Sequence, residues 1–262
     1  MPERLTDMSQ NFIPDRDIFE GMVSVRAVFE AKENVISERK IERVLFSAER
    51  VKGNGKLLGF LKARSFVYGY SLDVIPEEEL DAYTSGSSHG GVVMICEKRI
   101  YPESAPLIEN GFGVLLDGIE DPYNLGYAIR SVYAAGADFI LLPKRSPIVS
   151  AGIVCRSSAG ASELAAIICG DVENNVRLLK DKGYRFVLAD MDAPAPAHLS
   201  DLSKPLILGV GGEKRGFSKN VTALADLTVR LDYGRDFPMA LSAASASAIL
   251  AFEVTKQNPV KK

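Results

Sequence analysis

The chain reads as an α/β protein with a mainly parallel sheet, and three features predict this. Short apolar runs alternate with helical patterns from Ile18 to the end. One of them, Leu206–Leu208, runs straight into Gly209, Gly211 and Gly212. That is how a buried strand looks where another backbone or a ligand comes close to its end. A proline-bearing stretch, Tyr101–Asn110, divides the chain into a smaller and a larger α/β part. Strands alternating with helices pair in parallel and are covered on both faces.

In order along the chain, residues 1–17 form a polar tail. Glu20-Gly21 leads into the apolar positions Val23, Val25, Ala27 and Val28, and a polar stretch follows from Lys32 to Lys40. Arg43–Ser47 reads as a strand, Leu57–Arg64 as a short helix and Phe66–Val74 as a further strand. Pro76 with Glu77, Glu78 and Glu79 marks a helix start, and Gly91–Cys96 a buried strand. These elements make a first domain over 18–100, with a linker over 101–110.

The second domain spans 111–262. Phe112–Leu116 is its first strand, and Pro122 and Asn124 set up a turn from which Asn124 can cap the next helix. That helix carries Leu125, Ile129, Val132 and Tyr133 at helical spacing and closes at Gly136. Strands follow at Phe139–Leu142, Leu164–Ile168, Arg185–Ala189 and Leu227–Leu231. Between them lie a short helix from Ser146 to Cys155, one capped by Asp171, a proline-rich loop over Asp190–Leu199 and a helix near Lys219–Ala225. A long final helix runs from about Ala240 to Lys256.

Composition bounds the function. The chain has 262 residues, 47% hydrophobic and 25% charged, a normal globular balance. Its net charge of −3 excludes loose binding of nucleic acid by the whole surface, so any such contact needs a local patch. One candidate patch is Arg39–Arg64, with eight basic residues against Glu42 and Glu49. A phosphate-facing surface and a solvated, salt-bridged face are both open readings of it. Three scattered cysteines without a CxxC pair fit a reducing compartment and no zinc site. The N-terminus lacks a signal core and no run is long enough to span a bilayer, so the expectation is a soluble cytoplasmic protein without metal. His89 has no nucleophile or acid near it in sequence and reads as structural.

Two further features invite chemistry. Arg130 lies on a mainly apolar helix, where a guanidinium must reach solvent or hold an anion. The final helix is lined with small residues from Ala240 to Ala248, which permits close approach of backbone or ligand but equally a tightly packed core.

Three stretches in the right order resemble a known family. DGIEDPYNLGYAIRSVYAAGAD (117–138), LILGVGGEKRGFS (206–218) and LSAASASAILAFEV (241–254) are similar to the three signatures of the SpoU/TrmH group of SPOUT RNA methyltransferases. Arg156–Glu163 also looks like that family, and the first domain is similar to its ribosomal-protein-like RNA-binding domain. The resemblance implies an α/β knot, a deep trefoil with the last helix threaded through an earlier loop, and a homodimer. It implies S-adenosylmethionine as cofactor and methyl transfer to a ribose 2′-hydroxyl of rRNA or tRNA. By the same resemblance Asn124, Arg130, Glu213 and Ser242 carry the catalytic positions, and Gly209, Gly211, Gly212, Leu231 and Leu241 the cofactor positions.

The third signature departs from the family pattern. The usual serine-leucine-asparagine-valine-serine reads Ala240-Leu241-Ser242-Ala243-Ala244, and the usual isoleucine-proline-methionine reads Leu231-Asp232-Tyr233, followed by a loop over Gly234–Met239. That departure keeps a second function open, a non-catalytic RNA-binding protein on the same scaffold. A third, an unrelated nucleotide-binding α/β enzyme, lacks a GxGxxG after a first strand.

Overall fold

The computed structural model describes residues 15–84, 89–212 and 216–259. They divide at Ile100/Tyr101 into two compact units.

In the N-terminal unit the elements are β1 (Arg16–Glu20), α1 (Gly21–Glu33), β2 (Ile41–Ser47), α2 (Gly55–Tyr68), β3 (Ser71–Ile75), α3 (Glu77–Asp81) and β4 (Val92–Glu97). The sheet order is β1-β4-β2-β3, with β4 antiparallel to both neighbours and β3 parallel to β2. β1 begins two residues inside the stretch read as tail. It is held there by a buried ion pair between Asp17 and Arg39, whose guanidinium also stacks on Phe19. α2 runs on through Phe66, Val67 and Tyr68, which the sequence had suggested for a strand; Gly69 ends it at a φ of 71°. Aromatic and β-branched residues favour strands only weakly, and here the helix wins because Tyr68 stacks on Phe29 of α1 at 5.6 Å. His89 is fully buried: the Gly91 N–H donates to its Nδ1 (3.0 Å) and its Nε2 donates to Asp81 (2.7 Å). Both ring nitrogens are engaged in hydrogen bonds, and the acid that the sequence did not show beside His89 is Asp81 at the end of α3.

In the C-terminal unit the elements are β5 (Phe112–Asp117), α4 (Pro122–Ala134), β6 (Phe139–Pro143), α5 (Ala151–Ser157), α6 (Ala161–Leu164), β7 (Ile167–Gly170), α7 (Val172–Asp181), β8 (Arg185–Ala189), β9 (Ala195–Pro196), β10 (Leu206–Gly211), α8 (Lys219–Thr222), β11 (Leu227–Arg230) and α9 (Ala243–Gln257). All seven strands are parallel, in the order β7-β6-β5-β10-β8-β11-β9. β10 is central, and its side chains alternate between two cores. Leu206, Leu208 and Val210 face α4 and α9, whereas Ile207 joins Val176 and Leu179 of α7 on the other side.

Three local readings differ from the sequence expectation. Asp121, not Asn124, caps α4: its carboxylate accepts from the N–H groups of Tyr123 and Asn124, and Pro122 takes the first helical position. Leu164 ends the short helix α6, so β7 starts only at Ile167. The stretch 101–110, read as a linker, groups with the C-terminal unit and is pinned to it. Buried Asn175 accepts from the Ala105 N–H (2.7 Å) and donates to the Glu103 carbonyl (2.9 Å), and Pro102 accepts from the Cys169 N–H (2.9 Å).

Candidate active site

A pocket of about 710 Å³ opens at the carboxyl ends of β8, β10 and β11, where ligands sit in open α/β sheets. Its floor is the end of β10, at Val210, Gly211 and Gly212. Gly211 lies opposite Asp117 in the β5 pairing, and the Gly212 N–H extends that ladder by donating to the Asp117 carbonyl at 2.7 Å. A Cβ on Gly212 would stand 1.9 Å from the Gly118 carbonyl oxygen, so only glycine lets the two loops touch. Asp190 and Met191 form one wall. The tract from Leu231 to Leu241 forms the other, on its way from β11 to α9.

Of the residues put forward for the cofactor, Gly211, Gly212, Leu231 and Leu241 line this pocket. Gly209 does not. It lies one turn of the pleat below, where a Cβ would meet Leu188 at 2.4 Å, so its missing side chain serves sheet packing. Glu213 lies outside the described residues. Ser242 acts as the N-cap of α9, accepting from the Ser245 N–H at 3.2 Å, which starts that helix later than the small-residue run suggested.

Asn124 and Arg130 are not in the pocket lining. Asn124 is half-buried in the first turn of α4, and Arg130 is exposed further along it. Arg130 shares its side of α4 with Tyr123 and Tyr127, each 49% exposed. α9 packs against α4 and exposes Ile249 and Phe252. The fold therefore brings the second and third signatures together around one cavity and leaves the arginine of the first on an outward apolar face.

Residues outside the set put forward for catalysis and cofactor complete the pocket. The Tyr233 hydroxyl accepts the Leu241 N–H (3.2 Å), and its ring lies 6.3 Å from that of Phe237. Asp232 pairs with Arg230 at 3.0 Å, fixing the start of the same tract. The departure from the third signature was the one sequence signal that pointed to this stretch. Among the described residues no group of acids, histidines or cysteines could hold a metal ion, and no helix is long and apolar enough to cross a membrane.

Residues 111–252, more than half of the chain, match the SpoU rRNA Methylase family. The chain belongs to that family. Its members are S-adenosylmethionine-dependent RNA 2′-O-ribose methyltransferases, the class that the signatures implied. Residues 24–102 match the substrate-binding domain of RNA 2′-O ribose methyltransferases. The chain is 29% identical over 243 residues to the TrmH-family protein YacO of Bacillus subtilis, covering 87% of this chain and 93% of that one. It is 26% identical to the 23S rRNA (guanosine-2′-O-)-methyltransferase RlmB of Shewanella oneidensis, covering 92% and 98%. Among solved structures it shares the fold of the AdoMet-bound rRNA methyltransferase from Sinorhizobium meliloti, with a TM-score of 0.76 at 24% identity over 94% of this chain and 89% of that one.

Proposed function

We propose that this chain transfers the methyl group of S-adenosylmethionine to a ribose 2′-hydroxyl of structured rRNA or tRNA, working as a homodimer in the cytoplasm. The observation that carries the proposal is the pocket at the end of β10, where two signatures of a methylase family meet. Gly211 admits the cofactor to the backbone, Gly212 lines the pocket while letting the end of β10 close on the Gly118 loop, and Leu231 and Leu241 offer main-chain polar groups and apolar walls. The Leu231–Leu241 tract is where the trefoil crossing implied by the family would lie. None of the three cysteines is joined in a disulfide, which accords with a reducing compartment.

The reaction is an in-line displacement. The ribose oxygen forms a bond to the methyl carbon as the carbon–sulfur bond breaks, S-adenosylhomocysteine leaves, and the hydroxyl proton is released. Alignment supplies much of the rate, and a nearby cation favours the alkoxide. Arg130 is the group for that role: it is always charged and forks onto oxygens, though it is not itself a base. Because it sits on the outward face of α4 with exposed Tyr127, Ile249 and Phe252 around that helix pair, we assign it to the pocket of a second copy packed there. Asn124 and Glu213 are assigned to substrate positioning, and Ser242 to the shape of the α9 entry.

The test is transfer of label from tritiated S-adenosylmethionine into unmodified rRNA and tRNA pools, lost in Arg130→Ala. Absence of incorporation in both pools by the wild-type protein would refute the enzyme. The non-catalytic alternative has one observation in its favour: the Ser242 hydroxyl is engaged in capping. Calorimetry that finds cofactor binding without transfer would support that alternative.

A further inference from the structure

We infer that the outer face of α2 is a contact surface for RNA, with Lys56 and Lys62 on phosphates and Phe66 against an unstacked base. This rests on the RNA methyltransferase reading and extends it to a named surface.

The basic segment 39–64 is mostly neutralised by its own fold. Arg39 pairs with Asp17, Lys40 with Glu97, Arg43 with Asp73, Arg50 with Glu77 and Arg64 with Glu33. Lys52, Lys56 and Lys62 make no ion pair among the described residues, and all three are exposed. The remaining positive charge is thus gathered on α2 and on the turn that leads into it. α2 itself contains no acid.

The helix is apolar out of proportion to what it buries. Leu61 is its one fully buried residue; Phe60 and Tyr68 pack on Phe29, and Arg64 stacks on both phenylalanine rings. Those contacts account for the inner side. At 3.6 residues per turn the opposite side carries Lys56, Gly59, Lys62, Ala63, Phe66 and Val67, all exposed. Phe66 is 81% exposed and stands one turn beyond Lys62. Gly59 and Ala63 leave the strip between the lysines low and unobstructed.

Free cations beside an exposed ring, with no acid, form the pattern by which proteins hold single-stranded nucleic acid: charge follows the backbone and the ring takes a base. A second copy of the chain fits this face less well. A two-fold pairing of this face with itself would bring together two surfaces whose unpaired charge is positive on both sides.

The test uses the full-length protein with in vitro transcribed 23S rRNA and a tRNA transcript pool. Binding is measured over a series of salt concentrations for wild type, Lys56→Gln/Lys62→Gln and Phe66→Ala. The double variant is expected to lower the slope of log affinity against log salt by about 2 and to raise KM for RNA about tenfold, with kcat retained. Phe66→Ala is expected to weaken RNA binding about tenfold with the slope unchanged. Lys56→Arg/Lys62→Arg should restore the wild-type slope. S-adenosylhomocysteine affinity and thermal unfolding should match wild type in all variants, since these side chains are exposed. RNA binding by both variants equal to wild type would overturn the inference, as would a weakened binding that tracks a changed oligomeric state. A wild-type protein that binds no RNA would instead defeat the underlying methyltransferase reading.

Discussion

Gly211 and Gly212 are adjacent, line the same pocket, and should respond to alanine in opposite ways. On Gly212 a Cβ would sit 1.9 Å from the Gly118 carbonyl oxygen and 2.3 Å from its carbon, both main-chain atoms that no rotamer change can clear. The end of β10 would have to move from the loop after β5 by roughly 1 Å, stretching the 2.7 Å bond from the Gly212 N–H to Asp117. Overpacking of that kind costs about 1–3 kcal/mol and the weakened bond about 0.5–1.5 kcal/mol, giving about 2–4 kcal/mol together. For a unit of this size that corresponds to a fall of about 5–15 °C in Tm. On Gly211 the nearest atoms are Cε2 of Phe217 at 3.3 Å and the Gly216 Cα at 3.5 Å, and a ring edge can yield. Gly211→Ala should therefore melt within a few degrees of wild type, about 1 kcal/mol or less, while its methyl group obstructs the cofactor and weakens S-adenosylhomocysteine binding. Scanning calorimetry and isothermal titration separate the two effects. A Gly212→Ala protein that melts with wild type, or a Gly211→Ala protein that binds the cofactor product normally, would refute this division of roles.

Other expectations follow from single contacts. Ser242→Ala removes the α9 cap and should cost about 1 kcal/mol in thermal melts followed by circular dichroism, whereas Ser242→Asn, also a good capping residue, should recover most of it. Asn175→Ala leaves the buried Ala105 N–H unpaired, which should cost about 1–3 kcal/mol and speed proteolysis within 101–110. Glu77 is bonded by Arg50 and Ser47, which hold its carboxyl down at about 2, below the unfolded value of about 4.3. Its contribution is thus present above that higher value and lost as pH falls towards 2; acid unfolding of Glu77→Gln should show less pH dependence across that window.

How much of this was legible beforehand depended on the range of the interactions involved. The helix of Leu125, Ile129 and Val132 declares itself through period 3.6, and Gly136 ends it at a φ of 88° as a left-handed glycine should. Asp171 was readable as a cap because capping is a contact within four residues. Phe66–Tyr68 was misread because its strand-like side chains were outweighed by stacking on Phe29, a residue on another element. The charge of segment 39–64 was countable, but its neutralisation was not: Arg39 finds Asp17 and Arg43 finds Asp73 only once the sheet has formed. Likewise the chain order of the signatures marked Gly211 and Leu241 without revealing that Tyr233 ties the tract between them.

By itself the sequence determined the α/β class, the family signatures and the glycines at the end of the central strand, since these are written in local spacing and residue type. Only the tertiary structure decided that Gly209 is a packing residue, that Arg130 faces outward from its own pocket, and that Lys56 and Lys62 on α2, with Lys52 in the turn before it, make no ion pair among the described residues. Each of those depends on which distant side chain or backbone atom arrives within a few ångströms. That proximity is a property of the folded sheet order β7-β6-β5-β10-β8-β11-β9 and of the packing of its helices, not of neighbours along the chain.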